Sequence, residues 1–102
     1  MSAQAPQEPV DLERIVRDAI ARSGLRVHES AERAIVQTGR QEEDVLADEL
    51  RASTLSEADI VSGLVELLEV AQGVAREQGE DEIRDTTMEE AMRRRCPIKP
   101  WC

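Results

Sequence analysis

Apolar positions recur at intervals of three and four along most of this chain, the spacing of one helix face. Leu12, Ile15, Val16, Ala19 and Ile20 form the first such set, with Asp11 placed to cap it and Ser23-Gly24 to end it. The piece "LRVHES" that follows reads as extended and leads to Ser30, a cap for the next helix. That helix carries Ala31, Ala34, Ile35 and Thr38, then Val45, Leu46 and Leu50. Its middle, "TGRQEED", is polar and holds Gly39, which predicts a kink or break. In "STLSEAD", Ser56 and Asp59 have the spacing of a capping box.

The strongest periodicity runs from Glu57 to Gln78. Ile60, Leu64, Leu67, Ala71 and Val74 make a seam, widened by Val61, Val65, Leu68, Val70 and Ala75. A stripe this wide calls for burial on more than one side, and the five seam residues are the expected interface of a dimer. Gly79 stops the helix. "EDEIRD" reads as short and extended, with Ile83 its lone apolar residue. A final short helix carries Met88, Ala91 and Met92, opened by Thr86 and Thr87 facing Glu89 and Glu90 at capping-box spacing. Pro97 forbids its continuation. The expected fold class is all-α, a small domain of three to four helices. It divides into a flexible lead-in at 1–9 with Pro6 and Pro9, a helical domain at 10–95 and an extended tail at 96–102.

Composition adds a constraint on the core. Of the 102 residues 40% are hydrophobic, yet Trp101 is the only aromatic. Leu, Ile, Val, Ala and Met must fill the interior, and a domain this small buries only about 60 to 70% of its unfolded surface. Marginal stability and a partner, a second copy or another protein, are therefore expected. No apolar run approaches the roughly 18 to 20 residues of a membrane span. The start "MSAQAPQEPV" lacks the positive and apolar regions of a signal peptide, so a cytoplasmic protein with reduced thiols is expected.

Charge is uneven. Residues 1–40 hold six acids and six bases, whereas residues 41–90 hold sixteen acids against Arg51, Arg76 and Arg84. The last twelve residues hold four bases and no acid, giving the net −9. A surface this negative repels phosphate backbones, so nucleic acid is disfavoured as a partner and a protein is expected.

Two stretches resemble the two ends of a histone fold of the archaeal type. "RIVRDAIARSGLRVHESA" (14–31) has the short helix, the loop and the cap that opens a longer helix. "AREQGEDEIRDTTMEEAMRRR" (75–95) has the spacing between the long helix and the last one, with Ala75, Gly79, Ile83, Met88 and Ala91 at the key places. Together they cover 39 of the 102 residues. The resemblance implies a handshake-type dimer. It does not carry DNA binding, because the loop that is basic in DNA-binding histones is "GEDE" here. The segment between the two ends is also about twenty residues longer than a single histone helix, and Thr54-Leu55-Ser56 interrupts it.

Catalytic chemistry finds little footing. The single histidine, His28, lies beside Ser30, but helix capping explains that serine more simply than a triad. No Gly-rich phosphate loop and no Glu-x-x-His pattern is present, and neither a cofactor nor a metal is expected. The segment a plain helical domain does not need is "RRRCPIKPWC": Cys96, Pro97, Pro100, Trp101 and Cys102 follow three arginines that would favour the Cys96 thiolate. It is consistent with an inert end, a C-terminal dithiol arm resembling those of sulfur-relay proteins, half of a four-thiolate zinc site, or the modified core of a ribosomal peptide precursor with residues 1–95 as leader. The leading expectation is a non-enzymatic interaction or assembly subunit, homo- or heterodimeric, with the dithiol arm and the precursor as alternatives.

Overall fold

A computed structural model describes residues 11–95 and Trp101; residues 1–10, 96–100 and 102 lie outside the description. Five helices follow one another: α1 (Leu12–Ser23), α2 (Glu29–Arg40), α3 (Glu43–Arg51), α4 (Glu57–Glu77) and α5 (Asp85–Arg94). The described residues are thus all-α, one helix more than the expected three to four. The extra element arises at the polar stretch around Gly39. The chain breaks there at Gln41 and Glu42, so α2 and α3 are separate helices.

Local chemistry fixes most ends. The Asp11 carboxylate accepts the Arg14 N–H at 3.1 Å and opens α1, and Gly24, at φ +66°, closes it. Ser56 and Asp59 form the reciprocal capping box of α4, each bond 3.1 Å long. Two caps differ from expectation. His28, not Ser30, caps α2: its Nδ1 accepts the Ser30 N–H at 3.1 Å. At α5 the Thr87 hydroxyl reaches back to accept the Arg84 N–H at 3.2 Å, one turn earlier than the Thr–Glu pairing would place the box.

Four helices close into a ring in which α1 packs on α4, α4 on α5, α5 on α2 and α2 on α1. The core inside combines Leu12, Ile15, Val16 and Ala19 of α1 with Ala31 and Ile35 of α2 and Met88 and Ala91 of α5, against the length of α4. The two extended loops meet as a single parallel bridge between Val27 and Ile83. His28 N–H donates to the Ile83 carbonyl at 2.8 Å, and Ile83 N–H to the Arg26 carbonyl at 2.9 Å. Ser30 Oγ accepts the Asp85 N–H at 3.2 Å, which ties the start of α2 to the start of α5.

Two sequence expectations are revised by this packing. Ile60, Leu64, Leu67, Ala71 and Val74 are at most 1% exposed within one chain. The wide stripe of α4 is covered by α1 and α5 of the same chain, so the seam read as a dimer interface is an internal one. Trp101 is 0% exposed and is the largest buried side chain. The tail residue expected on an extended stub is part of the core.

Candidate interaction surface

Among the described residues, those singled out from the sequence are not gathered into one reactive site. Cys96, Pro97, Pro100 and Cys102 lie outside the described residues. His28 and Ser30 are brought together, Nδ1 to Oγ at 2.9 Å. The same two groups are committed to backbone donors, Ser30 N–H and Asp85 N–H, so the pair works as a staple between two helix starts. Among the described residues no three metal-ligating side chains cluster, and no buried side-chain polar atom lacks a partner. Among the described residues no helix is long and apolar enough to cross a membrane.

The open depression beside the bridge is lined by Arg26, Val27, Gly79, Glu80, Asp81, Glu82 and Arg84. Arg84 spans it with ion pairs to Glu80 at 3.2 Å and to Glu82 at 3.3 Å. Its charge is largely neutralised from within, and its walls offer little apolar surface to a ligand.

The surface that differs from the rest is on α3. This helix takes part in none of the four pairings of the ring and is held to it chiefly by Leu46, which is buried, with Leu50 half-buried one turn on. Helical spacing then turns Val45 outward, and Val45 is 51% exposed, the one large hydrophobic side chain so exposed among the described residues. Glu42, Asp48 and Glu49 stand three or four residues from it and share its face. Elsewhere most acids are matched: Arg14 with Glu57 at 2.7 Å, Arg17 with Glu32 at 3.6 Å, Arg40 with Glu13 at 3.5 Å, Arg95 with Glu66 at 3.3 Å. On α3, Asp48 is bridged to Arg51, whereas Glu42, Glu43, Asp44 and Glu49 make no ion pair among the described residues. The sequence located the acidic excess in residues 41–90 but not the outward valine at its centre. The signal was there in the Leu46/Leu50 spacing, which forces Val45 to the other side.

The best-made ion pair locks the far end. Arg94 takes Glu77 through both terminal nitrogens, at 2.8 and 3.1 Å, and Glu90 through Nε at 3.0 Å. The hydrogen bond and charge of Arg94 hold the Glu77 carboxyl below its ordinary value, and the guanidinium is raised in turn, first by Glu77 and then by Glu90. Arg14 is likewise raised by its hydrogen bond to Glu57.

A scan against protein-family models, a search of curated proteins and a search of solved structures each returned no match for this chain.

Proposed function

We propose that this chain is a non-enzymatic interaction module whose α3 face, centred on Val45, receives a basic segment of another protein. The single observation that carries this reading is the combination on one face: an exposed large apolar side chain flanked by Glu42 and Glu49, which pair with no base among the described residues, and by Asp48, which is bridged to Arg51. Protein interfaces set an apolar centre within a polar rim. The negative sign of the rim here selects Lys/Arg-bearing partners, speeds their encounter and works against phosphate backbones. A cytoplasmic setting goes with this reading.

Trp101 favours the binder over the two alternatives. A dithiol arm and a peptide core released after the arginine run both work best with the last residues free of the helical domain, and the indole is buried in it.

The test is a photo-crosslinking residue at position 45, with position 89 on α5 as an exposed control, introduced into the full chain in its native host. A discrete crosslinked protein is expected from position 45 and not from position 89. It should be lost when Glu42 and Glu49 are both changed to Lys. Equal products from both positions, or none from position 45, would overturn the proposal.

A further inference from the structure

The single histidine of the chain sits where two helix starts meet. His28 is half-buried at the head of α2, and its Nδ1 accepts the Ser30 N–H at 3.1 Å. The same nitrogen lies 2.9 Å from Ser30 Oγ, and that oxygen accepts the Asp85 N–H of α5 at 3.2 Å. Backbone N–H groups stand at both ends of this run of bonds, and a backbone N–H can only donate. The protons between them are thereby placed. Nδ1 is bare, the neutral ring carries its hydrogen on Nε2, and the Ser30 hydroxyl donates to Nδ1 while its oxygen serves Asp85.

A second ring proton has no place in this arrangement. Set on Nδ1 and aimed at Ser30 Oγ, it exchanges one O–H···N bond for one N–H···O bond, with no net loss. The Ser30 N–H then faces a donor, and α2 loses its cap without a replacement. The positive ends of the α2 and α5 dipoles also converge there and disfavour a cation. The nearby acids do not offset this. Glu32 is paired with Arg17, Glu80 and Glu82 with Arg84, and the Asp85 carboxylate accepts the Thr86 N–H. Glu29 on α2 and Glu89 on α5 are exposed, as is Arg26 two residues before the ring, so solvent screens all three. None of these carboxylates makes an ion pair with the imidazole among the described residues.

We propose that His28 is a proton-operated latch on the joint between α2 and α5. The neutral ring caps α2 and holds Ser30 where Asp85 uses it; protonation releases the first turn of α2 and loosens that tie. Histidine changes charge between about pH 5 and 8, so the latch works in mild acid, above the range in which carboxylates titrate. Its sign follows from the bonds. The folded chain takes the neutral ring and the unfolded chain takes the proton, so stability is full at neutral pH and falls on mild acidification. Loss of one cap corresponds to a drop of about three- to fivefold in the folding equilibrium constant. The latch is independent of α3 and of the partner proposed there.

The test is urea denaturation of the full chain and of His28→Asn at about pH 7.5 and about pH 5.5, the window in which histidine titrates. An asparagine amide oxygen caps a helix and carries no titrating proton. Every other titrating group is common to the two chains, so the difference between their pH responses belongs to His28. The parent is expected to lose about three- to fivefold more of its folding equilibrium constant on acidification than His28→Asn does. Equal responses, or a larger one in the variant, would overturn the latch. Should His28→Asn fail to fold, long-range proton–nitrogen NMR and amide exchange of the parent decide. At neutral pH Nδ1 is expected to resonate as a bare nitrogen, and the Ser30 amide to lose its exchange protection as the ring titrates. A hydrogen on Nδ1 of the neutral ring, or protection of Ser30 that persists once the ring is charged, would refute the proposal.

Discussion

Two glycines show how little a residue's identity says apart from its neighbours. Gly39 and Gly73 both lie inside helices, and propensity alone makes each a weak point worth about 1 kcal/mol against alanine. Around Gly73 nothing stands within 4 Å of an added Cβ, so Gly73→Ala is expected to stabilise the fold by about 0.5 to 1 kcal/mol. At Gly39 the same methyl collides with the indole and with Leu12. Overpacking of this kind typically costs about 1 to 3 kcal/mol, enough to outweigh the gain in propensity. Urea denaturation should give the two substitutions opposite signs; the same sign for both would place Trp101 away from Gly39. From sequence Gly39 reads as a helix breaker and Trp101 as tail chemistry, because the two are far apart along the chain and no periodicity links them. The caps at Asp11 and Ser56, by contrast, are local and were legible. His28 was missed as a cap because its ring nitrogen takes the role usually given to Ser, Thr, Asp or Asn.

At the scale of elements, the apolar period located α1, α4 and α5 and the break between α2 and α3. It did not say which molecule covers α4, since a stripe of Ile60, Leu64, Leu67, Ala71 and Val74 looks the same whether its cover comes from α1 and α5 or from another copy. The fold gives the answer, and with it a different outcome for Leu67→Glu. A charge placed where Leu67 is fully buried should unfold the chain, seen as loss of helical circular dichroism. A folded, helical Leu67→Glu monomer would contradict the internal seam. The α4–α5 clamp makes a pH prediction. Glu77 is held below its ordinary value by Arg94, so its contribution is present above the unfolded carboxylate range and is lost as pH falls through the lowered folded value. Glu77→Gln should flatten that part of the acid-unfolding profile while leaving the neutral-pH helical signal in place. The pair is exposed, so the change is expected to be small; an acid profile identical to that of the parent would show that the clamp contributes nothing.

For the molecule as a whole, the net charge of −9 and the lone aromatic acquire different meanings once the ring is assembled. About half of the acids among the described residues pair with an arginine, whereas on α3 Glu42 and Glu49, which flank Val45, do not. Val45→Glu should leave the unfolding free energy within about 0.5 kcal/mol of the parent, as expected of an exposed position. It should also abolish binding of the partner that the position-45 crosslink identifies; a large loss of stability would place Val45 in the core instead. The lone aromatic does for this core what several rings do elsewhere: it closes the space between α1 and α2 from the far end of the sequence. The helical class was legible because it is written in local spacing, whereas this closure was not, because it depends on a contact spanning 66 positions. The most direct test of a chain that closes on Trp101 is acrylamide quenching of its single tryptophan, in the native protein and across a urea titration. Quenching should be strongly suppressed in the folded chain and should rise to that of free indole in one transition, together with the loss of helix. Free-indole quenching while the helices are intact would place Trp101 outside the core and contradict the account.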